Sequence, residues 1–167
     1  MRVVVAAVGR LKSGPERELA ERYRERSVQI GRGLGLSACD MVELPESRAR
    51  RAADRCAEEA TGLLGHIPES AALIVYDERG RADLPSERLA ERVGGFRDAG
   101  RPALAVVIGG PDGLDARLRA RADLTLSFGA ATLPHALVRI LALEQVYRSL
   151  TILAGHPYHR GDPDGSA

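Results

Sequence analysis

The densest group of chemically capable side chains lies near the end of the chain. Within five residues, His156, Tyr158, His159 and Arg160 supply two imidazoles, a phenol and a guanidinium. We expect no metal site, because no Cys or Glu is close by and Pro157 disfavours a helix that would present both histidines to one ion. Such an exposed cluster suits a nucleotide, with Arg160 on a phosphate and His or Tyr on a base edge. The alternative is an unstructured tail without a function.

A glycine-rich turn follows the most apolar segment of the chain. Gly109 and Gly110 allow a close approach of the backbone to a ligand, and Pro111, Asp112 and Gly113 are typical of a turn. The turn lacks the lysine of a phosphate-binding loop, and its two adjacent glycines do not match the dinucleotide-binding spacing. A tight connection without any ligand is the alternative.

The last predicted helix begins at Pro134, where the missing N–H of proline costs nothing. His135 then lies in the first turn, either as a hydrogen-bond donor to a ligand or as an ordinary helix-start residue. The apolar residues of this helix cover more of its circumference than one core face requires, which indicates burial against a second subunit or in a deep core. They include Leu137, Val138, Ile140, Leu141 and Leu143.

Short β-branched runs alternate with amphipathic segments along the chain, which predicts an α/β fold. We expect a single domain with a mainly parallel sheet and helices on both faces. Ligands of such folds bind beyond the carboxyl ends of strands, so a site is expected in the loops after Asp77, Ile108 and Phe128. The predicted strands are 3–8, 38–44, 71–77, 103–108 and 124–128, and the predicted helices are 15–30, 46–64, 85–99, 115–121 and 134–150.

Length and composition limit the classes of protein to which this chain can belong. A chain of 167 residues with 44% hydrophobic and 28% charged residues is typical of one soluble globular domain. Only 4% of residues are aromatic, which argues against an aromatic platform for single-stranded nucleic acid. The net charge of +1 gives no sign of a strongly basic nucleic-acid binder, and no DNA partner is expected.

Localisation and domain limits follow from local composition. Cys39 and Cys56 are too few for a disulfide framework, so we expect buried or inert thiols. The apolar run 3–8 is shorter than a signal-peptide core, which predicts a cytoplasmic protein without a membrane partner. The domain is predicted to span 1–160, and the composition of 161–167 predicts a disordered extension.

Three segments together, in order and spacing, resemble one protein family. These are 108–114, then 127–148 with Thr132-Leu133-Pro134-His135, and finally His156-Pro157-Tyr158-His159-Arg160. With the start Val3–Gly9 and the overall length, they resemble the bacterial 23S rRNA pseudouridine N3-methyltransferases, RlmH, of the SPOUT class. The resemblance implies a trefoil knot near the C-terminus, an arrangement that general topology rules would not propose.

The resemblance also implies an S-adenosylmethionine site built from the loops of the knot. Small residues and glycines there would let backbone groups bond the adenine edge within a compact pocket. The family's cofactor positions fall on Tyr76, Gly109, Phe128, Gly129, Ala130, Ala131, Thr132 and Leu133.

The family acts as a homodimer with its active site between subunits, and its reaction needs no metal. The resemblance therefore implies methylation of N3 of a pseudouridine in the 23S rRNA of the assembled ribosome. It assigns the tail residues His156, Tyr158, His159 and Arg160 to catalysis, with His159 or Tyr158 assisting the base and Arg160 holding a phosphate.

Two other functions stay open from the sequence. One is a knotted paralogue that methylates a free nucleoside, another small heterocycle or a different RNA. The other is a non-catalytic RNA-binding assembly factor, against which the retained tail histidines and Arg160 argue.

Overall fold

Five apolar runs form one parallel sheet in the computed structural model, which describes residues 1–158. The strand order is β2-β1-β4-β3-β5, and each neighbouring pair is parallel. All carboxyl ends therefore lie at one edge of the sheet. The strands are β1 (Arg2–Val8), β2 (Cys39–Leu44), β3 (Ala72–Arg81), β4 (Ala103–Ile108) and β5 (Leu124–Leu126).

Helices cover both faces of the sheet. Alternate residues of β1 enter two separate core clusters, one that includes residues of α1, α3 and α5 and one that includes residues of α2 and α4. Because both faces are buried, the strands are apolar without alternation. The helices are α1 (Pro15–Gly31), α2 (Ala52–Gly65), α3 (Ser86–Asp98), α4 (Ala116–Arg121) and α5 (His135–Leu153). The predicted single-domain α/β architecture is confirmed.

The predicted start of the second helix, at residue 46, is wrong, because α2 begins at Ala52. The backbone of 45–51 is bonded instead by side chains of α2. The Ser47 N–H donates to Glu59 Oε1 at 2.9 Å, and Arg55 Nη1 donates to the carbonyls of Ala49 and Arg50 at 3.0 and 3.1 Å. These long side chains hold the segment as an irregular loop.

The predicted end of the third strand, at residue 77, is also wrong. β3 continues to Arg81 after an irregularity, so that Tyr76 and Arg81 both lie opposite Leu126 of β5. Gly80 permits this pairing, because a Cβ there would lie 2.3 Å from the Leu126 carbonyl carbon. The trefoil knot stays a prediction, and residues 161–167 lie outside the described residues.

Candidate active site

The second half of β3 and the loops that follow β4 and β5 meet at the carboxyl edge of the sheet and enclose a cleft of about 740 Å³. This volume is in the range of small-molecule sites in proteins. All eight residues to which the resemblance assigns the cofactor line this cleft. Their contact with the cofactor stays a prediction. The eight residues are Tyr76, Gly109, Phe128, Gly129, Ala130, Ala131, Thr132 and Leu133.

An aromatic pair forms one wall of the cleft. The rings of Tyr76 and Phe128 are stacked, with centroids 4.4 Å apart and an interplanar angle of 9°. Burial raises the pKa of the Tyr76 phenol, and the nearby Glu144 charge raises it further. Tyr76 therefore stays protonated at neutral pH and offers the cleft an apolar ring rather than a base.

The glycine turn forms a second wall of the cleft, and contacts within the turn itself make it tight. The Gly113 N–H donates to the Gly110 carbonyl at 3.0 Å, and Gly113 has a φ of +85°, which favours glycine. A Cβ on Gly109 would lie 2.7 Å from the Gly113 carbonyl oxygen. Gly109 is thus required by the turn itself, in addition to any approach of a ligand.

The loop after β5 closes the third side. The Ser127 N–H donates to the Arg81 carbonyl at 2.8 Å, and the Ser127 hydroxyl accepts from the Gly129 N–H at 3.1 Å. Gly129 has a φ of +100°. The small side chains of Ala130 and Ala131 are exposed, which leaves the backbone of this loop accessible from the cleft.

Several charged residues that were not predicted from the sequence also line the cleft. Arg119 Nη1 lies 3.3 Å from Asp77 Oδ2 and also donates to the Leu114 carbonyl, which ties β3 to the loop after β4. Glu78 and Arg79 complete the charged side of the cleft. The position of Asp77 at the end of a predicted strand was a usable signal, whereas nothing in the sequence pointed to Arg119.

The start of α5 also lines the cleft, through His135 and Val138. His135 is exposed, so its role as a ligand donor or as a helix-start residue stays open. The next turn is anchored by Arg139, whose side chain is only 2% exposed. Its guanidinium bonds the Glu43 carboxylate and the Gly9 carbonyl at 2.9 Å.

The described tail residues do not join the cleft within one chain. Tyr158 packs edge-on against Tyr147, with ring centroids 4.8 Å apart, and its hydroxyl lies 3.4 Å from Glu144 Oε1. Burial raises the pKa of Tyr158. His156 Nδ1 accepts from the Tyr158 N–H at 3.1 Å, and neither residue lines the cleft. His159 and Arg160 lie outside the described residues.

The sequence was compared with models of known protein families. The family described as predicted SPOUT methyltransferase matches residues 1–159. This chain belongs to the SPOUT methyltransferase family. The SPOUT class implied by the resemblance is thereby confirmed.

Individual SPOUT methyltransferases are similar over nearly the whole chain. Ribosomal RNA large subunit methyltransferase H of Methylobacterium radiotolerans is 74% identical over 162 residues, which are 97% of this chain and 99% of that protein. The protein of the same name from a Bradyrhizobium species is 59% identical over 160 residues, 96% of this chain and 99% of that protein.

A solved structure shares the fold. The crystal structure of a probable methyltransferase from Bordetella pertussis Tohama I matches with a TM-score of 0.52 and 14% identity, covering 89% of this chain and 95% of that chain. Within residues 1–158 of this SPOUT methyltransferase, no three His, Cys, Asp or Glu side chains are grouped as metal ligands. No helix in the same range is long and apolar enough to cross a membrane.

Proposed function

We propose that this SPOUT methyltransferase transfers a methyl group from S-adenosylmethionine to N3 of a pseudouridine in the 23S rRNA of the large ribosomal subunit. The near-full-length similarity to proteins named ribosomal RNA large subunit methyltransferase H is the main support. Methylation of ribosomal RNA also favours a cytoplasmic location.

The cleft fits the proposed cofactor. S-adenosylmethionine supplies a methyl group on a sulfonium, which is electrophilic. The glycine turn 109–113 and the loop 128–133 offer backbone N–H and C=O groups at the cleft surface, and the stacked Tyr76 and Phe128 offer an apolar wall. A pocket with an aromatic wall and accessible backbone groups suits an adenine ring.

Attack by N3 requires that the base lose its imide proton, and the tail carries the side chains for this step. We assign the acceptor role to His159 in preference to Tyr158, because the raised pKa of Tyr158 disfavours its phenolate. Arg160 would bind a phosphate, and His156 would orient the tail through its bond to the Tyr158 N–H.

The proposal includes a homodimer. Tyr158 packs on α5 of its own chain and does not line its own cleft, so the tail of one subunit would serve the cleft of the other. Leu137 and Leu141 are 44% and 37% exposed at positions one turn apart on α5, and an apolar stripe of this kind favours burial by a second copy.

A methyl-transfer assay with tritiated S-adenosylmethionine tests the function. Assembled ribosomes, large subunits and free 23S rRNA from a strain without this modification are offered in parallel with tRNA and nucleosides. We expect label in the 23S rRNA of assembled ribosomes, at N3 of a pseudouridine after nucleoside digestion. Label in nucleosides or tRNA would favour the paralogue, and cofactor binding without transfer to any acceptor would overturn the proposed reaction.

A further inference from the structure

Two loops beside the cleft concentrate positive charge. They are 9–14, which follows β1, and 45–51, which follows β2. Together they hold five basic residues and one acidic residue, Glu46, for a local charge of +4. Because the whole chain carries +1, all other residues sum to −3. We call the five basic residues the basic rim: Arg10, Lys12, Arg48, Arg50 and Arg51.

The two loops lie next to each other. β1 and β2 pair in parallel with Val8 opposite Leu44, so both loops leave the sheet at the same level. A Cβ on Gly9 would lie 3.6 Å from Glu46 Oε1. The two loops that carry the basic rim are therefore neighbours at the same edge of the sheet, with Glu46 between them.

The charges of the basic rim are available for a partner. All five side chains belong to exposed residues, and none of them takes part in an ion pair between residues 1–158. Exposed arginines elsewhere, such as Arg81 and Arg88, do have carboxylate partners.

The backbone under the basic rim is held in place. Arg55 and Glu59 of α2 bond the loop 45–51, as described above. Arg51 is the N-cap residue of α2, and its side chain makes no hydrogen bond to the first turn of the helix. The N–H groups of the first turn of α2 add partial positive charge to the same surface. A guanidinium on such a fixed loop presents its planar donor fork with little loss of entropy.

The basic rim borders the cleft. Arg55 donates to the carbonyls of Ala49 and Arg50, and the same guanidinium binds Asp112 at 2.7 and 2.9 Å. Asp112 lines the cleft. One arginine thus joins the loop of the basic rim to the glycine turn, so a large ligand whose reactive part enters the cleft would extend over the rim.

We propose that the basic rim binds the phosphate backbone of the folded RNA whose base enters the cleft. This rests on the proposed function and names the part of the surface that holds its substrate. Five exposed cations without ion-pair partners among residues 1–158 match the spaced charges of a polynucleotide. On a chain of near-neutral net charge they concentrate the electrostatic attraction at the site. An acidic protein surface is the competing partner.

The test compares the full chain with the triple variant Arg48→Gln, Arg50→Gln, Arg51→Gln. Binding to large ribosomal subunits and to protein-free 23S rRNA is measured over a series of KCl concentrations. We expect the triple variant to bind both at least about 10-fold more weakly, with a slope of log Kd against log[KCl] reduced by about two to three. Affinity for S-adenosylmethionine should stay unchanged, which separates loss of RNA contact from misfolding.

A matched control removes the same charge elsewhere. Arg22, Arg32 and Arg92 are exposed and also lack ion pairs within the described residues, and their replacement by Gln should leave affinity and slope at the wild-type values. Equal losses in both triple variants would overturn the proposal, since net charge alone would then explain binding. Loss of affinity for intact subunits with unchanged binding of protein-free rRNA would assign the basic rim to a ribosomal protein and overturn the RNA contact.

The two proposals fail in different ways. A wild-type protein that binds 23S rRNA through the basic rim but methylates no pseudouridine overturns the proposed reaction alone. Normal methylation with a triple variant of unchanged affinity overturns the basic rim alone.

Discussion

At Gly80, the absence of a side chain decides whether β3 and β5 can pair beyond Tyr76. A Cβ there would lie 2.3 to 2.7 Å from the backbone C, O and N of Leu126, and backbone atoms in a strand cannot yield as a flexible side chain can. We predict that Gly80→Ala lowers the free energy of unfolding by about 2 to 3 kcal/mol, the cost of overpacking. Affinity for S-adenosylmethionine should fall with it, because Leu126 leads directly into the loop 127–134. Urea denaturation and calorimetry measure the two effects.

Gly95 provides the matched control for this substitution. It lies in α3, and a Cβ there would meet no atom within 4 Å. Gly95→Ala should therefore stabilise the protein by about 0.5 to 1 kcal/mol, as alanine does in a helix. Equal stability of the two variants would contradict the close contact at Gly80.

The ion pair between the buried Arg139 and the partly buried Glu43 makes stability depend on pH. Burial alone would raise the pKa of Glu43, but the N–H of Leu11 and the guanidiniums of Arg17 and Arg139 outweigh burial and hold that pKa below its ordinary value of 4.5. A carboxyl group with a lowered pKa in the folded state contributes stability above its ordinary pKa and loses it as the pH falls through the folded value.

We predict that Glu43→Gln costs about 3 kcal/mol at neutral pH, because Arg139 is left buried without its counter-charge. The difference in unfolding free energy between wild type and variant should shrink as the pH is lowered from about 6 to about 3, since protonated Glu43 resembles Gln. Denaturation curves at a series of pH values measure this difference. A difference that stays constant over that range would show that the charge of Glu43 contributes nothing.

The pairing of Glu43 with Arg139 could not be predicted from the sequence. Arg139 entered the sequence interpretation only as part of a family motif, whereas its partner Glu43 lies 96 positions away. Local periodicity carries no information on such a pairing. The one available signal was a charged residue within the apolar run 136–143, which indicates a buried partner without identifying it.

At the scale of elements, the loop 127–134 is the part of the cleft most open to a direct test. Ala131 is exposed and lines the cleft, and its φ is not in the left-handed region, so a large side chain fits there without backbone strain. We predict that Ala131→Trp fills the cleft and lowers affinity for S-adenosylmethionine by at least about 10-fold, with no loss of thermal stability. Isothermal calorimetry and a melting curve check both parts.

Ala99 offers a control for bulk at an exposed alanine, because it follows α3 and does not line the cleft. Ala99→Trp should bind S-adenosylmethionine like the wild type. Wild-type affinity in Ala131→Trp would remove this loop from the proposed cofactor site.

Element boundaries show why sequence patterns succeed for some parts of this fold and fail for others. The central strands β1 and β4 were predicted nearly to the residue, because burial on both faces demands an unbroken apolar run. The start of α2 and the end of β3 depend instead on contacts made by residues remote in sequence, Arg55 with 45–51 and Gly80 with Leu126. Helix propensity in 46–51 is overridden by these contacts.

At the scale of the whole molecule, the parallel sheet is what made the candidate site predictable. Once all strands run the same way, their carboxyl ends must meet at one edge of the sheet, and a ligand site was expected at that edge from the sequence alone. The tail was different, because its residue types indicate chemistry but no local pattern says which cleft it serves. In the proposed homodimer, which holds two tails and two clefts, the answer depends on how the two chains are arranged.

Two complementary variants can show which cleft the tail serves. Ala131→Trp keeps its tail but has a filled cleft, whereas a chain truncated after Gly155 keeps its cleft but lacks His156, Tyr158, His159 and Arg160. Each variant alone should be nearly inactive. In a heterodimer of the two, purified through two different affinity tags, a tail that crosses to the other subunit meets the one intact cleft, so about half of the wild-type methyl-transfer rate should return. A tail that serves its own cleft would restore nothing, because each chain of the heterodimer would then lack one part of its site, and an inactive heterodimer would return the chemistry to a single subunit.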